Sequence, residues 1–396
     1  MSPIAKGVID MIQTITAHTI EIDDIDIAVQ EIVEQLPAAD SLLPNTVGIL
    51  ACHYEFVFSG VVEALCAALP FEVVGAITSA QATPATADGM LLTLMVLTSD
   101  EVTFRVGLSD SLLGAPADVV EDVYNRTALP GEKPALILPY AAFLPQNSGD
   151  DYVAVLSKLS GNAPLFGTLA VDDTQTFENC FAIHNGQHYR DKMALLLMYG
   201  NLSPRFCIAT ISKDKIVDRP ALITKSHGHI LEEINGRPLM EYFESFDLAE
   251  ATKSGYAMSS IPFLLDYGDG TPFVSKVFIQ MTPDNNGLFA GQMPEGSTMY
   301  MGVFDRDDVL LTTGNAVQEA LGGGGAINGA LAYSCVARYM SLGGDTLAEL
   351  THMRALLGTE VPFMMAYSGG EICPTQVRDD VATNRFHNDS FILCVF

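Results

Sequence analysis

Three short apolar runs in the last third of the chain constrain the fold most, because each of them ends in polar residues. The runs cover residues 330–333, 361–367 and 391–396 and are rich in β-branched or aromatic side chains. Runs of this length that are bounded by turn residues are typical of buried strands. A binding pocket needs a few polar groups on an apolar wall, and strand ends of this kind supply them. The sequence therefore predicts a ligand site in this part of the chain.

Polar residues at or beside these strand ends are the candidate ligand-binding residues. A guanidinium offers a planar fork to a carboxylate and a carboxylate accepts an ammonium group, so Arg338 and Glu371 together suit an amino-acid-like ligand. The same two side chains suit an internal salt bridge equally well. The predicted ligand-binding set is Ser334, Cys335, Arg338, Gly370, Glu371, His387 and Asn388.

Two alternatives of a different class depend on single residues in this set. Cys335 follows a predicted strand and precedes a predicted helix, and with Glu371 and His387 downstream it could act as the nucleophile of a hydrolase. A buried structural cysteine is the commoner fate of such a residue. His387 could ligate haem iron or hydrogen-bond a small ligand, or it could only fasten the turn with Asn388. We predict no catalytic residue and no metal ligand, apart from His387 if haem binds.

The order of several motifs resembles a known family. Residues 334–338 read "SCxxR", residues 358–372 read "GxxVPxMxxYxGGEI", and residues 387–388 read "HN" before a final apolar strand. Upstream stand "FEVVGAITSA", "PLFGTLAVDD" and "ITKSHGHILEEINGRPLMEYF". This ordered set resembles the FIST proteins, a family of sensory proteins, over roughly residues 45 to 396.

The resemblance implies an architecture and a function. It implies a FIST N-terminal-like domain over residues 1–239 and a FIST C-terminal-like domain over residues 240–396. It implies a protein that senses a small ligand, with no output module of its own, and passes the signal to a partner such as a histidine kinase, a cyclase or a chemotaxis receptor. It also implies haem as an alternative cofactor, bound through His387 in a nitric-oxide sensor.

Composition excludes several other classes. The chain has 48 acidic and 20 basic residues and a formal net charge of −28, which disfavours binding to nucleic acid or to an anionic membrane surface. Seven cysteines without a C-x-x-C pair indicate reduced thiols. The N-terminal residues lack a signal-peptide core, and no run is apolar enough to span a membrane. We therefore expect a cytoplasmic protein.

The pattern along the chain predicts an α/β (α+β) fold. Strand, helix and strand over residues 45–77 form a candidate βαβ unit with a parallel pair. Two apolar runs within residues 90–108 are separated by a short polar turn and suggest an antiparallel hairpin. We find no internal repeat. Together these elements predict two domains with mixed, largely antiparallel β-sheets covered by helices.

Overall fold

The computed structural model of the chain describes residues 12–174, 176–303 and 305–396. Residues 1–11, where the sequence shows no signal-peptide core, lie outside the described residues. The helices are α1 (Ile25–Gln35), α2 (Glu55–Phe58), α3 (Val61–Ala68), α4 (Pro116–Thr127), α5 (Gly149–Leu159), α6 (Leu239–Glu244), α7 (Gly255–Met258), α8 (Arg306–Gly322), α9 (Val336–Ser341) and α10 (Ala348–Leu357).

The strands alternate with these helices along the chain. The first group is β1 (Gln13–Thr19), β2 (Asn45–Cys52), β3 (Glu72–Ile77), β4 (Gln81–Ala82), β5 (Ala87–Asp88), β6 (Leu92–Ser99), β7 (Thr103–Leu108), β8 (Leu136–Ala142), β9 (Gly167–Ala170), β10 (Ala182–His184), β11 (Gln187–Tyr189), β12 (Met193–Tyr199) and β13 (Arg205–Ala209). The second group is β14 (Ile216–His227), β15 (Ile230–Ile234), β16 (Arg237–Pro238), β17 (Phe263–Asp266), β18 (Val274–Lys276), β19 (Phe278–Met281), β20 (Gly287–Phe289), β21 (Thr298–Gly302), β22 (Ala330–Cys335), β23 (Phe363–Ser368), β24 (Glu371–Arg378), β25 (Val381–His387) and β26 (Phe391–Val395).

Polar side chains satisfy backbone amides at the starts of three helices. Asp24 caps α1 by accepting from the backbone N–H of Ile27. Ser148 forms a capping box with Asp151 at the start of α5, and Asp305 caps α8. Each such cap stabilises its helix by about 1 kcal/mol, because the first-turn amides have no partner within the helix.

Four sheets make up the molecule. The first has the order β1-β6-β2-β3-β10-β11, the second β25-β24-β9-β8-β12-β7, and the third β13-β26-β22-β23-β4-β5. The fourth has the order β18-β17-β21-β14-β15-β20-β19, with β16 paired to β15. Among the described strands, the parallel pairs are β2 with β3, β8 with β9 and β22 with β23. The predicted α/β (α+β) fold with mixed, largely antiparallel sheets is confirmed.

The first and third sheets repeat one arrangement that the sequence does not reveal. In the first, parallel β2 and β3 form the predicted βαβ unit with α3, and β6 and then β1 lie antiparallel on the β2 side. In the third, parallel β22 and β23 are followed on the β22 side by antiparallel β26 and β13. The chain thus contains a topological repeat without a recognisable sequence repeat.

The predicted hairpin within residues 90–108 is wrong. Its first strand, β6, pairs with β1 and β2 in the first sheet, whereas its second strand, β7, pairs with β12 in the second sheet. The chain therefore changes sheets at the short polar turn between them. Strand β6 gains two partners in this way, whereas β7 becomes an edge strand of the second sheet.

The core continues across the sheets. One face of the second sheet packs against both the first and the third sheet, and the hydroxyl of Tyr333 lies 3.2 Å from that of Tyr140 at this junction. Helices α4 and α5 cover the other face of the second sheet, and α8 and α10 cover the third. Within the described residues, no helix combines the length and the apolar character that a membrane crossing requires.

Strands from both sides of residue 240 share three of the sheets. Hairpin β4–β5 and strand β13 complete the third sheet, and hairpin β24–β25 extends the second sheet through β9. The fourth sheet likewise joins β14–β16 to later strands. The division into residues 1–239 and 240–396 stays a prediction.

Candidate functional site

The last two residues of β22, Ser334 and Cys335, lie on opposite faces of the third sheet. Ser334 lies on the face that α8 and α10 cover, where its hydroxyl donates to the Glu349 carboxylate at 2.8 Å. Cys335, the next residue, lies near Glu371 and Asp389. Alternation along the strand therefore separates two of the predicted site residues.

Arg338 pairs with Glu349, not with Glu371. Both side chains are fully buried, and the guanidinium Nη2 lies 2.8 Å from Glu349 Oε1. Arg338 also donates to the backbone carbonyls of Thr210 and Val309 and to the hydroxyl of Thr313. Arg338 and Glu371 do not form the predicted clamp, because the Arg338 guanidinium is paired with the Glu349 carboxylate on α10. This cluster is a closed internal ion pair.

Glu371 lies in a second buried polar cluster, at the start of β24. Its carboxyl oxygens accept from the hydroxyls of Ser368 and Ser390 at 2.7 and 2.8 Å. Burial raises the pKa of the Glu371 carboxyl well above its usual range, although the two serine hydroxyls oppose that shift. The preceding Gly370 has φ +147, and a side chain there would clash with the ring of Phe386. Only glycine suits this approach.

His387 is the cross-strand neighbour of Glu371, as the pairing of β24 with β25 requires. Its Nε2 donates to the Cys373 carbonyl at 3.2 Å, and burial lowers the pKa of the imidazole to about 3. The ring is therefore neutral, with the proton on Nε2. Its buried Nδ1 has no hydrogen-bond partner.

The turn after β25 contains two further buried polar residues. The backbone N–H of Asn388 donates to the Ser275 carbonyl at 3.0 Å, and the Ser275 hydroxyl donates to Asp389 Oδ2 at 3.1 Å. Burial raises the pKa of the Asp389 carboxyl to about 8. The Oδ1 atoms of Asn388 and Asp389 are buried without a hydrogen-bond partner. Strand β18 thus holds the turn from one side.

The geometry does not fit the two alternatives that depend on single residues. Burial raises the pKa of the Cys335 thiol well above its usual range, and the negative charges of Glu371 and Asp389 add to the shift, so a reactive thiolate is disfavoured. The His387 ring is fully buried and its Nε2 donates to the Cys373 carbonyl, so haem iron could reach its unpartnered Nδ1 only if the surrounding strands moved apart. Among the described residues, no cluster of His, Cys, Asp or Glu has the arrangement of a metal site.

A cleft of about 380 Å³ lies between α5, β25 and the fourth sheet. We call it the α5–β25 cleft, and its polar walls are formed by Asp150, Tyr267, Gln292, Asn384 and Arg385. This volume lies in the range of small-molecule sites. Its residues come from three distant segments of the chain.

Arg385 is the cationic group of the cleft. Its Nη2 lies 2.5 Å from Asp269 Oδ2, and its guanidinium lies 4.5 Å from the ring centroid of Tyr267. Its Nε is buried and has no hydrogen-bond partner. Nearly all buried donors in native proteins are satisfied, so this N–H takes an acceptor that the protein itself does not supply, either a water or a ligand.

Asp150 is the anionic group of the cleft, and it rests on a buried lysine. Lys276 Nζ lies 3.1 and 2.9 Å from the two Asp150 carboxylate oxygens and 2.7 Å from the Phe386 carbonyl. The backbone N–H of Gln292 donates to Asp150 Oδ2 at 2.7 Å. Burial lowers the pKa of the Lys276 ammonium, and the Asp150 carboxylate opposes that shift. Asp150 Oδ1 keeps room for a further donor.

A larger cleft, of about 590 Å³, lies between β1, α1 and the β4–β5 turn. Its polar residues include His18, Glu31, Glu34 and Gln35, of which only the two glutamates carry a fixed charge. It has neither a buried lysine nor an arginine in its wall. The α5–β25 cleft is therefore the better candidate, although it is smaller.

Sequence reasoning missed the residues that build the α5–β25 cleft. Lys276 carried a signal, because it is the only charged residue in the apolar run "FVSKVFIQM". Arg385 lies two residues before the predicted His387 and on the same strand face. Asp150 and Tyr267 carried no comparable signal. Of the predicted site residues, the fold brings Cys335, Glu371, His387 and Asn388 to one region and places Ser334 and Arg338 in another.

Comparison with known proteins identifies the family. Residues 46–237 match the FIST N domain, and residues 239–374 match the FIST C domain. No curated protein matches the chain.

Two solved structures from Thermotoga maritima show only weak similarity, which carries no argument. PurL complexed with AMPPCP is 10% identical over 97% of this chain and 72% of that chain, with a TM-score of 0.19. Phosphoribosylformylglycinamidine synthase II is 9% identical over 97% of this chain and 71% of that chain, again with a TM-score of 0.19. The two domain matches, by contrast, cover most of the chain in the expected order, and the chain therefore belongs to the FIST family of sensory domains.

Proposed function

We propose that this protein senses a small zwitterion, such as an amino acid, which binds in the α5–β25 cleft. The observation that carries the proposal is the buried, unpartnered Nε of Arg385 in the same cleft wall as Asp150. A ligand carboxylate would accept from this Nε, and a ligand ammonium group would donate to Asp150 Oδ1. The predicted function, a sensor for an amino acid or similar small metabolite, is kept, but its site moves from Arg338 to Arg385.

The charge balance of the cleft supports a ligand that carries both signs. Asp150 is paired with Lys276, and Arg385 is paired with Asp269, so the two ion pairs sum to zero. A zwitterion can join both pairs without adding a net charge to a partly buried site, where an uncompensated charge is costly. A ligand with only one charged group would pair with either Asp150 or Arg385 and would leave the other without a ligand contact.

Ligand binding would also change contacts at the edge of the cleft. The ligand carboxylate competes with Asp269 for the Arg385 guanidinium, so binding would loosen the 266–271 turn that Asp269 belongs to. Behind the cleft, Lys276 contacts the Phe386 carbonyl and the adjacent Ser275 contacts Asp389. Strand β18 therefore connects the cleft to the turn after β25 and to the Glu371 cluster.

The signal would then pass to another protein. The family resemblance favours a histidine kinase, a cyclase or a chemotaxis receptor as the partner. The described strands offer a direct path from the cleft, because β25 pairs with β24 and β24 pairs with β9. This assignment of an output partner is part of the proposal.

A thermal-shift screen tests the proposal with variants of Arg385. We expect one or more amino acids or other small zwitterions to raise the melting temperature of the wild-type protein by several degrees at saturating concentration, since a ligand at about 100 times its Kd adds about 2.7 kcal/mol. Arg385→Ala should lose this shift. Arg385→Lys keeps the charge but lacks the Nε donor, and it should retain only part of the shift.

The matched control is Arg378→Ala. Arg378 lies on the same hairpin as Arg385 but is exposed and outside the cleft, so the variant should respond to ligand as the wild type does. If the ligand raised the melting temperature of Arg385→Ala as much as that of the wild type, the ligand would not bind in the α5–β25 cleft. If only amines, or only dicarboxylates, stabilised the protein, the proposal of a zwitterionic ligand would be contradicted.

A further inference from the structure

A cluster of aromatic rings lies at the surface of the first half of the chain, where four partly or largely exposed rings adjoin the buried ring of His53. We call it the aromatic–acidic patch, and it consists of His53, Tyr54, Phe58, Phe181 and His188. Ring centroids lie 4.3 Å apart for His53 and Tyr54, 5.7 Å for Tyr54 and Phe58, and 4.8 Å for Phe181 and His188. Phe58 joins the two groups, at 6.0 Å from Phe181. The rings thus form one continuous surface.

The patch includes a large apolar side chain that lies at the surface and not in the core. Phe58 is 58% exposed, and it ends the short helix α2. Phe56, on the other side of the same helix, is fully buried in the core. Phe56 therefore anchors the helix in the core, whereas Phe58 lies outside the core. Exposed aromatic side chains in a contiguous group are typical of binding surfaces.

Carboxylates surround the rings. Asp173 Oδ1 lies 3.3 Å from His53 Nε2, and the Asp173 side chain is 45% exposed. Desolvation raises the pKa of the Tyr54 phenol, and the nearby charges of Asp173, Glu55 and Asp172 add to the shift. Asp172 is fully buried and accepts from Thr174 and Asn179, so Asp173 and Glu55 are the carboxylates that a ligand can reach.

The neighbouring cations are occupied elsewhere. Arg190 donates to the Glu178 carbonyl at 2.7 Å, and the Lys192 ammonium lies 5.0 Å from the Tyr189 ring centroid. Of the residues that the structure describes, neither Arg190 nor Lys192 therefore stacks on the aromatic faces beside Tyr54.

We propose that the aromatic–acidic patch binds an arginine-bearing segment of a partner protein. A guanidinium stacks on aromatic faces and forms hydrogen bonds with carboxylates, so the patch offers both contacts that an arginine makes best. Arginine and aromatic side chains are also enriched among the residues that dominate interface energies. The net charge of −28 adds long-range attraction for a basic segment. The inference does not depend on the ligand of the α5–β25 cleft.

The position of the patch suits an output surface. Asp172 and Asp173 follow β9 directly, β9 pairs with β24, and β24 pairs with β25, which contains Arg385. A shift of β25 on ligand binding would therefore reach the patch through two strand pairings. The aromatic–acidic patch is thus connected to β25 through β9 and β24.

Fluorescence anisotropy with short labelled peptides tests this inference. The probe is a fluorescein-labelled peptide of arginine and alanine, and its neutral counterpart has citrulline in place of each arginine. We expect the arginine peptide to bind the full chain, and Phe58→Ala to weaken that binding about two- to fivefold, as loss of an exposed cation–π contact implies. Asp173→Asn should weaken it by a similar factor.

The control is Leu311→Ala, a residue of almost equal exposure, 56%, on α8. It should leave peptide affinity unchanged. Equal affinity of wild type and Phe58→Ala would show that the overall negative charge binds the peptide without the patch, and would overturn the inference. Equal binding of the arginine and citrulline peptides, or no binding of either, would overturn it as well.

Discussion

Arg338→Ala is expected to lower the free energy of unfolding by about 3–5 kcal/mol, the cost of removing one partner of a buried ion pair. The variant leaves the Glu349 carboxylate buried without its cation. It also removes the donors to the Thr210 and Val309 carbonyls and leaves a cavity in the core. These losses act together, so the effect should be among the largest of any single substitution in the chain.

Urea denaturation measures this effect. Arg126→Ala is the matched control, because Arg126 forms an exposed pair with Asp122 one turn earlier on α4 and should contribute less than about 1 kcal/mol. Replacing both partners, in Arg338→Met with Glu349→Leu, should recover much of the loss, since no unpaired charge remains. A loss below 1 kcal/mol in Arg338→Ala would contradict the buried pair.

Asp389 should make the protein less stable as the pH rises. Its carboxyl has a pKa of about 8 in the folded state against about 3.9 in the unfolded chain, so the folded state holds a proton that the unfolded state has lost. Between these two values, the free energy of unfolding falls as the pH rises, by up to about 1.4 kcal/mol per pH unit for one group. Asp389→Asn cannot ionise and should flatten the slope.

Urea denaturation between about pH 5 and pH 8 tests this expectation. Asp389→Asn should resemble the wild type at the acidic end and exceed it in stability at the alkaline end. Part of the slope should remain, because the pKa of Glu371 is raised too. Asp122→Asn, at an exposed position, should keep the wild-type slope. An unchanged slope in Asp389→Asn would show that its carboxyl is not protonated in the folded protein.

Local patterns predicted much of the fold correctly. The βαβ unit of β2, α3 and β3 follows from hydrophobic runs of strand and helix length, and the Asp24 cap follows from its position before an amphipathic segment. These features depend on residues that are close in sequence.

Long-range pairing could not be predicted from the same patterns. Strands β6 and β7 have the spacing of a hairpin, yet each finds its partners in a different sheet. The sequence offers several acidic residues as partners for Arg338. Only the packing of α10 on the third sheet brings Glu349 next to it. The topological repeat of the first and third sheets leaves no trace in the sequence, because similar strands can be built from many apolar residues.

The α5–β25 cleft is the extreme case. Asp150, Tyr267 and Arg385 are each separated by more than a hundred residues and meet only where the second and fourth sheets pack together. Periodicity and spacing say nothing about such a meeting. The family motifs drew attention to the ends of β22 and β24 instead, where the polar clusters are buried.

A crystal structure with the zwitterion that gives the largest thermal shift tests the central claim most directly. The account predicts ligand density in the α5–β25 cleft, with its carboxylate on Arg385 Nε and its ammonium group on Asp150. Density at another place, such as the larger cleft beside α1 or the Glu371 cluster, would contradict the proposed site.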